Sequence, residues 1–130
     1  MTTITCAEFN IRLIRLGMAS SVFGVYTRQT SDREMRALRA QSRGSEPVTE
    51  DTVLALEACE AQLETAYDHL AATVERGEPI RLPPINLKPG NPDFKHIGGH
   101  FWHAAAAIIW DEHDNVRIEY LPSLRGDRHK

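Results

Sequence analysis

Apolar positions recur at helical spacing over most of the first 75 residues. Cys6, Phe9, Leu13 and Leu16 predict an amphipathic helix over residues 6–16, ending at Gly17. Thr5-Cys6-Ala7-Glu8 reads as its capping box, with the threonine hydroxyl accepting from the Glu8 amide and the glutamate reaching back to the N-cap amide. Ser20-Ser21 offers an N-cap for a short second helix of about residues 21–26, whose apolar residues are Val22, Phe23 and Val25. Gly24 sits in it where a small residue lets a neighbouring helix approach. Residues 27–31 hold little apolar side chain and read as a turn. Ser31 or Thr30 then caps a third helix of about residues 32–41, with Met35 and Leu38 on one side and Arg33, Arg36 and Arg39 on the other.

Residues 42–47 read as a loop, and a long helix begins at Thr49. Val53, Leu56, Leu63, Tyr67, Leu70 and Val74 carry its periodicity, and Gly77-Glu78-Pro79 end it. Ile80 to Leu82 fits a short strand, and the prolines and glycine of 83–92 make a rigid connector. The last segment has two readings: a helix over 99–110 followed by a strand over 116–120, or two strands, 106–110 and 116–120, joined in a hairpin. Four consecutive alanines favour the helix. The expected fold is therefore mainly α, with α+β possible. An N-terminal helix-turn-helix bundle over 1–78 precedes a small C-terminal helix/strand dimerisation segment over 79–130.

Composition narrows the class. The 130 residues, 42% hydrophobic and 25% charged with net charge −3, suit one small domain or one domain with an appendage, and exclude wholesale disorder. The longest apolar run, Ala104 to Trp110, falls far short of the ~20 residues that span a bilayer. The start lacks a basic stretch followed by an apolar one, so no signal peptide is expected. Cys6 and Cys59, far apart and outside any ligand spacing, read as packed thiols in a reducing cytoplasm.

Charge is unevenly spread. Residues 1–44 carry seven arginines against three acids, residues 45–79 nine acids against Arg76 alone, and residues 80–130 seven bases against six acids. A basic third joined to an acidic middle suggests one face that meets an anion. The competing reading is that the arginines of 28–43 pair with the acidic segment.

Three short helices, the second and third joined by a tight turn, describe a helix-turn-helix, in which the third helix enters the major groove. Arg33 and Arg36 suit guanine edges and Glu34 suits cytosine, while Arg39 and Arg43 lie towards the phosphates. Ser20, Ser21, Arg28 and Ser31 complete the expected contacts with double-stranded DNA.

Residues 5–56 resemble an Xre/Cro-like helix-turn-helix. The matching stretches are Ala7-Glu8-Phe9 to Leu16-Gly17-Met18, Ser31-Asp32-Arg33-Glu34-Met35, and Gly44 to Pro47-Val48. Further on, Glu75-Arg76-Gly77-Glu78-Pro79, Asn91-Pro92-Asp93 and Ile97-Gly98 before an alanine-rich segment are similar to the YdiL-type proteins and the phage autorepressors that accompany anti-CRISPR genes. That resemblance implies a cytoplasmic, homodimeric transcriptional repressor acting on an inverted repeat. The family carries tryptophans followed by a glycine in the recognition helix, where Met35 and Leu38 stand here.

Trp102, Ile108, Ile109 and Trp110 are the candidate dimerisation residues, since a second copy is expected to cover the part of this apolar surface that one chain leaves open. His96, His100 and His103, with His113 beyond, form the competing constellation, a metal site that could activate water. Gly98-Gly99 between the first two histidines makes poor material for a helical ligand platform. No glycine-rich phosphate loop or nucleophile with an evident base is present, so neither an enzyme nor a cofactor is expected. The alternative from another class is a protein–protein interaction module that keeps the helix-turn-helix fold without binding DNA.

Overall fold

The computed structural model describes residues 3–121. Its described residues form five α-helices, a 3-10 turn and two short strands: α1 Cys6–Arg15, α2 Ser20–Tyr26, α3 Asp32–Arg43, α4 Glu50–Glu75, β1 Ile80–Leu82, a 3-10 turn Pro92–Phe94, α5 Gly99–Glu112 and β2 Ile118–Tyr120. The protein is thus mainly helical with a small sheet. None of these helices is long and apolar enough to cross a membrane. The chain divides into two compact units inside α4, the first ending at Ala61 and the second beginning at Gln62; the sequence boundary at 78/79 coincides with the turn that ends α4.

In the first unit, local signals set the helix ends. The capping box at Thr5 forms, with Glu8 N donating to Thr5 Oγ1 at 3.0 Å and Thr5 N to Glu8 Oε1 at 2.7 Å. Ser31, rather than Thr30, builds the same device at α3 with Glu34. The structure corrects the start of α2: its N-cap is Ala19, which has no capping side chain, and Ser20 and Ser21 lie inside the first turn. It also extends α3 through Ser42 and Arg43, so the expected 42–47 loop shrinks to the residues after Gly44, whose φ of 94° stops the helix.

Phe9, Leu13, Leu16, Phe23, Leu38 and Leu56 are each at most 2% exposed and make the core of this unit. Phe9 and Phe23 meet edge to face with ring centroids 5.5 Å apart, which joins α1 to α2. Gly24 does what its position predicts: a Cβ there would fall 2.5 Å from Met35 Sδ and 2.9 Å from Gln29 O. Cys59 is a packing residue, and burial pushes its thiol pKa up to about 12.

The second unit is built from non-local pairing. β1 and β2 run parallel, with Ile80 opposite Ile118 and Leu82 opposite Tyr120, and α5 lies between them in the chain. A parallel pair requires a crossover of this kind, so the hairpin alternative is excluded. Residues 106–110 are helical, and the strand partner of 118–120 is 80–82. Alternation on β1 buries Ile80 and Leu82 and exposes Arg81. Phe101, Ala105 and Ile109 recur at spacing four on α5 and are fully buried. Gly99 lets α5 begin hard against the connector, donating its N–H to Leu87 O at 2.8 Å, where a side chain would collide with the Pro84 and Ile85 carbonyls.

Candidate nucleic-acid interface

α3 is held by the other helices of the first unit rather than by its own composition. Its buried side is Leu38, at 0% exposure, and Gln41, at 5%, with Met35 half-buried against Gly24. The opposite side carries Arg33, Arg36 and Arg39, spaced three apart, and Arg43 follows in the last turn. All four are exposed, and none forms an ion pair among the described residues.

The turn before α3 explains where Arg28 stands. Gln29 N donates to Gly24 O at 2.7 Å and Arg28 N to Val25 O at 3.3 Å, a Schellman closure of α2. Such a closure needs a left-handed residue. Glycine supplies it at the corresponding ends of α1 and α4, Gly17 with φ 72° and Gly77 with φ 76°. At α2 the residue is Arg28, with φ 61°. An exposed arginine in this strained position puts a fifth cation beside the start of α3.

The remaining predicted contacts divide. Glu34 is exposed, and its Oε1 accepts from Ser31 N at 3.2 Å, so one carboxylate oxygen serves the cap. Ser31 Oγ accepts from Glu34 N at 3.1 Å. Ser20 is half-buried and Ser21 exposed in the first turn of α2, where backbone N–H groups lack intrahelical partners.

Arg12 is the exception among the N-terminal arginines. Its Nε donates to Glu60 Oε2 at 2.8 Å and its Nη2 to Oε1 of the same carboxylate. This bidentate pair, chiefly through its hydrogen bonds, holds the Arg12 pKa above its ordinary value. The acidic segment therefore does pair with an arginine, but with Arg12 and with none of the five from 28 to 43.

Gln41 was not singled out by the sequence reading. Its Oε1 accepts from Thr49 N at 3.3 Å, which pins the entry to α4 against α3. A shallow groove of about 490 Å3 runs there, lined by Arg33, Arg36, Ala37, Ala40, Gln41 and the 46–49 segment. The only signal for Gln41 was its place three residues after Leu38, on the buried side of α3. A larger concavity of about 790 Å3 belongs to the second unit. Arg81 and Lys95 share it with Glu78 and Asp93, so its charges balance, and no line of one sign faces a ligand there.

The other expected constellations come apart. Trp102 and Ile109, at 4% and 0% exposure, are core residues of the second unit and not a surface for a partner. Ile108 and Trp110 remain exposed, at 36% and 57%. Of the histidines, His103 Nε2 lies 2.8 Å from Pro83 O, where the ring nitrogen donates to the carbonyl, and His96 sits exposed in a left-handed turn with φ 63°. Among the described residues no three histidine, cysteine or carboxylate side chains converge on a point that could hold a metal ion.

No protein-family model matches this chain, and no curated protein matches it.

Proposed function

We propose that the protein is a sequence-specific DNA-binding repressor of the Xre/Cro-like kind, resembling the YdiL-type proteins, with α2 and α3 as its helix-turn-helix. One observation carries this reading: Arg28, Arg33, Arg36, Arg39 and Arg43 stand exposed and without a carboxylate partner among the described residues, on a helix braced from behind and the turn that leads into it. A line of unneutralised guanidinium groups with its direction fixed is what a phosphate backbone and guanine edges require.

In this reading Arg33 and Arg36 read base edges from the first turns of α3, with the free oxygen of Glu34 beside them. Arg39, Arg43 and Arg28 hold phosphates, and Ser20 and Ser21 offer hydroxyls and first-turn amides to another. Two copies on an inverted repeat would place one α3 in each half-site, and binding upstream of its own gene would make it an autorepressor.

Fluorescence anisotropy with the duplex upstream of its own gene, beside a scrambled duplex and over several salt concentrations, tests the proposal. The expected result is discriminating binding whose logarithm falls linearly with log salt. Absence of binding at ~50 mM salt, where non-specific contacts already register, overturns it in favour of an interaction module that has kept the fold but not the operator.

A further inference from the structure

The concavity of about 790 Å3 in the second unit has the size of a small-molecule site, for which the usual range is roughly 300–1,000 Å3. Leu70, Pro79, Pro83, Phe94 and Trp102 give it an apolar wall. Four ionised side chains line it as well, and two of them are engaged by the protein itself. Arg81 donates to Glu119 at 3.2 Å, and Glu78 accepts from Arg76 at 3.1 Å. Asp93 and Lys95 form no ion pair among the described residues, with each other or with a third group. One uncommitted charge of each sign therefore borders the concavity.

The turn that carries both charges has an uncommon shape. Lys95 and His96 are left-handed in succession, with φ 57° and 63°, and neither is a glycine. His96 N donates to Asn91 O at 2.9 Å and Lys95 N to Pro92 O at 3.2 Å, and Asn91 Oδ1 accepts from Asp93 N at 2.9 Å. Backbone held in this way clusters at sites that clamp ligands. The wall is unsatisfied too. Trp102 is 4% exposed, and its indole Nε1 has no hydrogen-bond partner among the described residues. An indole nitrogen only donates, so the group it lacks is an acceptor. The surroundings favour an anionic one: His69, edge-on to the indole at 5.5 Å, has its pKa lowered by burial and then by the positive charges of Lys95 and Arg76.

We propose that this concavity binds a free α-amino acid with a large apolar side chain. The carboxylate lies towards Lys95 and the Trp102 wall, the ammonium meets Asp93, and the side chain lies along Leu70, Phe94 and the prolines. The indole N–H is closed to water, so a small turn of the ring brings it to the carboxylate. A zwitterion carries its two charges close together, matching Asp93 and Lys95 two residues apart in one turn. A simple anion would be repelled by Asp93, and a simple cation by Lys95. Binding requires no DNA, so it stands or falls separately from the proposed function.

Isothermal titration calorimetry of the full chain with phenylalanine and leucine tests it. The expected Kd is on the order of 100 µM or below for one of the two. N-acetylation or amidation of that amino acid removes one charge and should weaken binding at least tenfold, and glycine should not bind. Lys95→Met and Asp93→Asn should each weaken it about tenfold, whereas Lys88→Met, outside the concavity, should not. The chain has two tryptophans, so a 15N spectrum shows two indole signals, which Trp110→Phe assigns. The Trp102 signal should move on binding and that of Trp110 should stay. No heat and no shift at ~5 mM of either amino acid overturns the proposal, as does a shift at Trp110 alone. Binding indifferent to both Lys95→Met and Asp93→Asn, or equal for the charged and the capped ligands, overturns the recognition of a zwitterion.

Discussion

The two units place their arginines differently. In the second, Arg76 donates to Glu78 at 3.1 Å and Arg81 to Glu119 at 3.2 Å. In the first, Arg12 is paired with Glu60, while six further arginines, Arg15 and the five from 28 to 43, stand exposed and without an ion pair among the described residues. Like charges three or four apart on a helix repel by a few tenths of a kcal/mol per pair, so the row on α3 is mildly unfavourable to its own helix. Leu38, Met35 and Gly24 hold that helix in place regardless. Arg76 and Arg81 on the second unit are neutralised by the protein's own carboxylates. Those on α3 remain available to an anion from outside.

The sharpest break in the comparison is a steric one. Both units use a glycine for close approach, but against different neighbours. At Gly99 an added methyl would run into two backbone carbonyls, Pro84 O and Ile85 O, neither of which can rotate away. Gly99→Ala should cost about 3 kcal/mol or more and unfold the second unit first. At Gly24 the methyl meets the flexible Met35 thioether and one carbonyl, Gln29 O. Gly24→Ala should cost about 1–2 kcal/mol, because Met35 can shift. Urea unfolding followed by far-UV circular dichroism ranks the two, and equal losses would show that the Met35 contact is as rigid as a carbonyl.

A functional contrast follows. Arg36→Ala should weaken binding to the preferred duplex by about 1–3 kcal/mol and relax specificity at one base pair. Arg39→Ala should weaken all duplexes alike and lower the salt slope by about one. Arg81→Ala removes one cation of the same charge from the second unit and should leave both readouts unchanged. A loss at Arg81 equal to that at Arg36 would assign the binding to net charge rather than to α3.

The first unit was the more legible in sequence, for a physical reason. Its helices begin and end on signals a few residues long, such as Thr5 with Glu8, Ser31 with Glu34, and the left-handed Gly17 and Gly44. Besides the longer end of α3, its boundary error at Ser20 and Ser21 comes from giving a capping role to serines that lie one and two residues past the actual cap, Ala19. The second unit depends on a parallel pairing between residues 38 positions apart, as in Ile80 with Ile118, and no short pattern encodes such a pairing. Burial of Trp102 and Ile109 is likewise a product of the β1–α5–β2 packing. The exposed side of α3 was readable because arginines at spacing three need only a helix; the role of Gln41 was not, because its partner Thr49 is set by the path of the chain.

Acid should act on the second unit specifically. His69 meets Trp102 edge to face with centroids 5.5 Å apart, and burial, then Lys95 and Arg76, lower its pKa below the ordinary 6.5. Between the two pKa values the unfolded chain binds the extra proton and the folded chain does not, so stability rises with pH through this window. Stability is therefore lost progressively as pH falls below about 6.5, until His69 is protonated in the folded state as well. His69→Gln should flatten this part of the profile in pH-dependent urea titrations, and an unchanged slope would assign it to another histidine.

The smallest effect separates fold from function within a single residue. Arg28 occupies the left-handed position that glycine takes at the ends of α1 and α4. Arg28→Gly should relieve that strain and, net of the added freedom of the unfolded chain, stabilise the protein by about 0.5–1 kcal/mol. The same change removes a cation next to α3, so binding should weaken evenly across duplexes with a salt slope about one smaller. Gains in thermal stability and losses in affinity from one substitution would mean that the arginine is kept in the turn for the anion it meets. A variant that gained stability and bound DNA like the parent would remove Arg28 from the interface and leave the four arginines of α3 to carry it.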